Sequence, residues 1–351
     1  MKACGLSTVG TLLLCVIGSS CTPAPSEDVN KPEARLIERA GLAMGTELKL
    51  TAWTPDEKLA QATFDEVFGE FDRLDRMMSV WKDGSDVLRL NAAAGDHPVP
   101  VSAETFEVLT IARDVSVATE GRFDVTFGAL TDVWKFDQDQ DESIPSAEQI
   151  RARLPLIDYR ALELNQAAVT AFLTRKGMRV HLGGIGKGYA VDRAVGIFHA
   201  RGLTNFMIQA GGDLYAGGRR GDRPWKLGIA DPRAPDGPSF ASVELSDSTF
   251  STSGDYERFF VKDGVRYHHI LDLQTGQPAR GCRSVTLLTG RAVIADALAK
   301  GVFILGPQKG MALIERLPDV EGVIVSAKND VLVSSGLKDR LTLLRQPTDS
   351  P

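Results

Sequence analysis

Four stretches of this sequence carry residue types that do chemistry. Gly183-Gly184-Ile185-Gly186-Lys187-Gly188 stands between an apolar run and a helical pattern. Such a break bares backbone N–H groups at a helix N-terminus, where an anion is favoured, and Lys187 adds a positive charge. It is not a P-loop, because His181 occupies the place of the first glycine and Gly188 that of the magnesium-binding Ser or Thr. A dinucleotide fingerprint fails too, since Tyr189 takes the place of the last glycine. A tight strand-to-helix turn remains the other reading. Gly211-Gly212-Asp213 ends a second apolar run, where a glycine pair permits either a turn or close backbone approach to a ligand. Thr252-Ser253-Gly254-Asp255-Tyr256 and Tyr267-His268-His269 flank a hairpin, so their side chains can converge. A histidine there can act as a base near neutral pH. Neighbours on a strand point to opposite faces, so at most one of the two histidines faces a site. A hydrogen-bonded structural histidine is the alternative. Asp296 lies among Ala, Ile and Leu, and a buried carboxylate is paired or binds metal. Lys300 is one helical turn on, so an i,i+4 ion pair also accounts for it.

The elements that must position these residues follow from periodicity. Leu36 to Trp53 predicts two strands interrupted by Ala43-Met44-Gly45-Thr46. Asp56 to Met78 has apolar residues at helical spacing, Ser102 to Glu120 a second helix with Ser102 as N-cap, and Ser146 with Gln149 a capping box. Met178 to Leu182 predicts a strand, Tyr189 to Ala200 a helix. Strands are expected at Asn205 to Gln209, Trp225 to Ala230, around Asp263-Gly264 and at Ser284 to Thr289. A helix follows from Ala292 to Phe303, then two strands within Val320 to Ser335. Strands meet strands as often as helices, which implies an α+β fold: a largely antiparallel sheet with packed helices.

The net charge of −6 and the lack of any long Lys/Arg cluster argue against nucleic acid as a partner. The acidic run Asp137 to Glu142 predicts a solvated loop. Lys2, the apolar Thr11 to Gly18, Ser19-Ser20 and Cys21 have the layout of an export signal. The expectation is a signal peptide over 1–21 with a lipoprotein cysteine at Cys21, and a tether rich in Pro and Ser over 22–34. Cys4, Cys15 and Cys21 lie in that leader, so Cys282 alone remains and no intramolecular disulfide is possible in the mature chain.

Taken in order, the motifs say more than each does alone. Met44-Gly45-Thr46, Met78-Ser79-Val80-Trp81, Phe123-Asp124-Val125-Thr126-Phe127-Gly128 and the Gly183 to Asp192 segment come first. Gly211-Gly212-Asp213, Trp225 to Pro232, Thr252 to Tyr256, His269 to Gly276 and Ala295-Asp296-Ala297 follow. From Leu42 to Gly306 this set resembles the flavin transferase (ApbE) family. The resemblance implies that family's α+β fold over 35–346, FAD as substrate and magnesium as cofactor. It implies FAD contacts at Met44, Trp81, Asp124, Val125, Thr126, His181, Lys187 and Ile270. The metal positions fall on Gly184, through its carbonyl, on Asp296 and on Lys300, and the general base on His269. The implied reaction moves FMN from FAD to a Thr or Ser hydroxyl of an acceptor protein, releasing AMP. Its acceptor is expected to be a membrane redox component, and the enzyme to sit lipid-anchored on the periplasmic side of the inner membrane.

Three departures qualify this. His181 stands where the family usually has Asp, and Leu273 where it has Pro. Lys300 replaces a Thr that helps hold the metal; a protonated lysine has no acceptor and cannot be a ligand. The sequence therefore predicts weak magnesium binding, with Lys300 supplying part of the cation's charge. A flavin-binding scaffold of the same fold and an FAD pyrophosphatase giving FMN and AMP stay open beside the transferase.

Overall fold

The computed structural model describes residues 33–349 except Gln138. The leader with Cys21, and all but the last two residues of the tether, lie outside the described residues.

The first four helices start at side-chain caps, two of them, Ser102 and Ser146, expected from the sequence. Asp56 accepts from the Leu59 N–H at 2.9 Å and opens α1, Glu57–Met78, whose Phe64, Val67, Phe71 and Leu74 are buried. Ser85 caps α2, Asp86–Ala92. Ser102 caps α3, Ala103–Ala118, through the Thr105 N–H at 3.1 Å. Ser146 and Gln149 close both bonds of the predicted capping box on α4, Ala147–Arg153. Helices α5, Gly186–Ala200, α6, Ala292–Leu305, and α7, Pro307–Arg316, complete the helical set among the described residues.

The main sheet has eight strands in the spatial order Arg35–Ala43, Thr46–Thr54, Phe206–Ala210, Asp213–Gly217, Ser248–Gly254, Cys282–Leu288, Glu321–Ser326 and Val331–Val333. Every neighbouring pair is antiparallel, as the sequence implies. One face carries Phe206, Ile208, Tyr215, Val285 and Leu287 into a core shared with the buried faces of the helices. The opposite face sends Leu214, Ala216, Phe250, Val323 and Val325 against a small sheet of Trp225–Ile229, Ala241–Leu245 and Leu341–Leu343. Side chains alternate across a strand, so Asp213–Gly217 is buried on both faces.

One expected element is absent. Met178 to Leu182 forms no strand; only an isolated parallel bridge joins Arg179 to Phe127. The backbone partners go elsewhere. The Asn91 side-chain amide donates to the Val180 carbonyl at 3.0 Å, while its oxygen accepts from the Val180 N–H at 2.7 Å. The His181 N–H donates to the Val125 carbonyl at 2.9 Å. An apolar run with its ladder positions satisfied this way has no need of a strand neighbour.

Candidate functional site

Two helices hold the site by capping each other. Asp192 on α5 accepts from the Ala292 and Val293 N–H groups at the start of α6, at 2.6 and 3.2 Å. Asp296 on α6 accepts from the Gly188 N–H at the start of α5, at 2.9 Å. A Cβ on Gly188 would lie 2.3 Å from the Ala292 carbonyl oxygen, so only glycine lets the helices meet this closely. The anion that the glycine segment invites to its helix N-terminus is thus, in the first place, the protein's own carboxylate.

Asp296 is completely buried, and two lysines converge on it. The Lys300 ammonium donates to its carboxylate Oδ1 and, at 2.9 Å, to its backbone carbonyl. Lys187 Nζ lies 3.8 Å from Oδ2 and 3.1 Å from Asp213 Oδ2. Asp213, from the second glycine motif, also accepts from the Ser251 hydroxyl at 2.5 Å. The chain of charges runs Asp213, Lys187, Asp296, Lys300. Burial pushes the Asp296 carboxyl up, but the two ammoniums outweigh it and hold it below the ordinary carboxylate range. Burial and the nearby Asp296 charge push Asp213 the other way. Burial also disfavours the charged Lys187, yet its two carboxylate neighbours hold its pKa above the ordinary lysine value.

The histidine pair divides as strand alternation requires. His268 is buried; its Nε2 bonds the Ala279 carbonyl at 2.8 Å, and its Nδ1 accepts from the Ile270 N–H at 3.3 Å. These partners fix the Nε2–H tautomer, and burial lowers its pKa to about 4. His269 lines a cleft instead, and its buried Nδ1 has no hydrogen-bond partner among the described residues. Burial, then the charge of Arg258, holds His269 well below the ordinary histidine value, so it is neutral at physiological pH.

Two clefts meet here. The larger, of about 500 Å³, is lined by Met44, Trp81, Lys187 and the Gly183 segment. The smaller, of about 100 Å³, is lined by Gly184, His269, Ile270 and Lys300. Phe136, Asp137, His181, Gly183 and Arg258 border both. Met44 and Gly45 have φ of 49° and 72° and form the two-residue turn between the first two strands, with Ala43 opposite Thr46. Trp81 is 48% exposed just beyond the end of α1, an aromatic face open to the larger cleft. The Nδ1 of His181 accepts from the Gly183 N–H at 3.0 Å, and its buried Nε2 has no hydrogen-bond partner among the described residues.

The Asp124-Val125-Thr126 segment is placed differently from the rest. Asp124 Oδ1 accepts from the Thr126 N–H and hydroxyl at 2.8 and 2.7 Å, and Oδ2 from the Tyr159 N–H at 2.7 Å. Val125 is in the core and Thr126 is completely buried. Only Asp124 of the three borders a cleft. These residues brace the cleft wall, their polar atoms already partnered within the protein.

Two residues at the junction escaped the sequence reading. Asp137 belongs to the acidic run expected to be a solvated loop, yet it forms an ion pair with Arg258 and lies 3.9 Å from His181 Nε2. Arg258 lies two residues beyond the Thr252 to Tyr256 motif, which was the available signal.

As a magnesium site the set does not fit. Magnesium takes about six oxygen ligands in near-octahedral order. Here the oxygens of Asp296 already receive Gly188 N–H, Lys300 and Lys187. The Lys300 stem lies against Gly184, where a Cβ would come within 3.1 Å of Lys300 Cδ. No cluster of three or more His, Cys, Asp or Glu suited to a metal occurs among the described residues.

The surrounding chain has relatives along most of its length. Residues 44–324 match the model of the ApbE family. A Treponema pallidum protein named FAD:protein FMN transferase is 31% identical over 98% of this chain and 97% of its own length. Its namesake from Escherichia coli K12 is 29% identical over 86% of each. Among solved structures, the ApbE protein of Thermotoga maritima superposes with a TM-score of 0.81 at 31% identity, over 87% of this chain and 99% of that one. The flavin transferase ApbE of Vibrio cholerae gives 0.77 at 29%, over 88% and 99%. With the family's model, whole-length relatives and fold all in agreement, this chain belongs to the ApbE family.

Proposed function

We propose that this chain transfers FMN from FAD to a Thr or Ser hydroxyl of an acceptor protein. One observation supports it above the others: in an ApbE-family chain, the unpartnered His269 ring nitrogen and the cations Lys187, Arg258 and Lys300 gather where two clefts join. A cleft of about 500 Å³ lies in the range of about 300–1,000 Å³ typical of ligand sites. Trp81 and Met44 offer a flavin or adenine ring an apolar face there. The three cations suit the pyrophosphate. The acceptor oxygen attacks the FMN-side phosphorus, the P–O bond to the AMP phosphate breaks, and AMP leaves with the electron pair. His269 takes the hydroxyl proton. Transfer of this kind is catalysed by positioning and electrostatics. Magnesium, which the resemblance implies, would look to Gly184 and Asp296, but Lys300 already engages that carboxylate.

The test is incubation with FAD and a candidate acceptor, followed by mass spectrometry. The acceptor should gain FMN on a Thr or Ser as AMP appears. FMN and AMP released with the acceptor unlabelled would make the chain a pyrophosphatase. No saturable flavin fluorescence change up to tens of micromolar, roughly the scale of ordinary cofactor affinity, would remove the FAD reading altogether.

The leader motivates the address: a lipid on Cys21 anchors the enzyme on the periplasmic side of the inner membrane, beside a membrane redox acceptor. Cys21→Ala should leave export intact and move the protein to the soluble fraction. Cytoplasmic protein that still begins at Met1 would contradict it.

A further inference from the structure

We propose that the Lys300 ammonium is the resident cation of this site, standing in for a divalent metal and making FAD binding and cleavage metal-independent. The inference rests on the transfer reading above and concerns which positive charge meets the pyrophosphate.

The charge balance comes first. Two carboxylates, Asp213 and Asp296, face two ammoniums, Lys187 and Lys300, in an unbroken chain of contacts. That set is neutral as it stands. In the absence of FAD, a divalent ion added to it would bring two further positive charges beside Lys187 and Lys300, against one more nearby carboxylate, that of Glu257. The ligand count agrees. Asp213 is taken up by Lys187 and the Ser251 hydroxyl, and both Asp296 oxygens by protein donors. A metal could enter only if Lys300 withdrew. Its stem is confined, with Gly184 alongside and little of the side chain exposed.

The ammonium is also suited to the role positively. It has three N–H donors, and two are engaged by the Asp296 carbonyl and carboxylate. The third is available on a residue that lines the smaller cleft together with His269. A phosphate oxygen placed there would meet a fixed cation and the base together. The bond changes are those given above; Lys300 transfers no proton and contributes only charge and one hydrogen bond.

Two measurements on the full mature chain decide this. Mn2+ serves as the metal probe, titrated by electron paramagnetic resonance with and without saturating FAD. AMP release from FAD is followed in EDTA and in added magnesium. The expected result is no stoichiometric Mn2+ site and AMP release that EDTA changes by less than about twofold. Lys300→Thr should then bind Mn2+ about tenfold or more tightly than wild type, and its AMP release should become sensitive to EDTA. One Mn2+ bound per wild-type chain in the presence of FAD, or AMP release abolished by EDTA, would overturn the proposal. Should Lys300→Thr fail to fold, the wild-type measurements still decide it. Should wild type release no AMP under any condition, the transfer reading falls on its own, and the Mn2+ titration still rules on Lys300.

Discussion

Replacing His269 with alanine is expected to lower FMN transfer about 10²- to 10⁴-fold, the usual worth of a positioned general base, while FAD affinity stays nearly unchanged. The residue sits on the cleft side of its strand end, and its buried Nδ1 has no other occupation among the described residues. His268→Ala should behave in the opposite way. It removes the bond to the Ala279 carbonyl and the acceptor for the Ile270 N–H. That should cost about 1–3 kcal/mol of stability, with transfer per folded molecule retained. Loss of transfer in His268→Ala but not in His269→Ala would reverse the assignment.

The pH dependence sharpens the same prediction. In the free enzyme, burial and the charges of Arg258, Lys300 and Lys187 hold His269 well below the ordinary histidine value. The proton-accepting form therefore persists as pH falls through the usual titration range, and the acid limb of kcat/KM should lie below about pH 6.5. Bound FAD brings a pyrophosphate whose negative charge offsets those cations. The pKa of His269 should then rise in the complex, strengthening the base where it is used. The acid limb of kcat, which reports the complex, should accordingly lie at higher pH than that of kcat/KM. Coincident limbs in wild type would mean that His269 does not feel the pyrophosphate.

How much of this was legible depended on how far each interaction reaches along the chain. The caps at Asp56, Ser102 and Ser146 act within a few residues, so their helices could be read from the sequence almost to the residue. Strand alternation allowed only one of His268 and His269 into a site, but not which; the Ala279 carbonyl settles it. Met178 to Leu182 has the composition of a strand and is not one, because Asn91 takes both backbone groups of Val180 from far away in the sequence. Asp137 likewise looked solvated until Arg258, distant in the chain, paired with it. The Asp296–Lys300 pair was readable from i,i+4 spacing. Its meeting with Lys187 and the N-terminus of α5 was not, since that contact is made only when the two helices pack.

Asp296→Ala should be among the most destabilising single changes in this protein, at about 3–5 kcal/mol, because it leaves the largely buried Lys300 ammonium without its carboxylate and Lys187 with Asp213 alone. The wild-type carboxylate serves three partners at once: the Gly188 N–H, Lys187 and Lys300. Its reciprocal, Asp192, offers a direct comparison, since it accepts from two N–H groups at a helix start but is partly exposed and, among the described residues, forms an ion pair with Arg291 alone. Asp192→Ala should therefore cost only about 1–2 kcal/mol, the range of a lost cap. Asp296→Asn keeps an acceptor for Gly188 and should fall between the two. If unpaired charge is the cause, removing one ammonium should repair part of the damage. The double variant Asp296→Ala with Lys300→Ala should then be more stable than Asp296→Ala alone, with a coupling of about 1–3 kcal/mol in the cycle. Urea unfolding followed by circular dichroism measures these four, with wild type and Lys300→Ala alone closing the cycle. If Asp296→Ala costs no more than Asp192→Ala and the double variant recovers nothing, Asp296 is a helix cap alone, and the four-charge chain contributes little to holding α5 against α6.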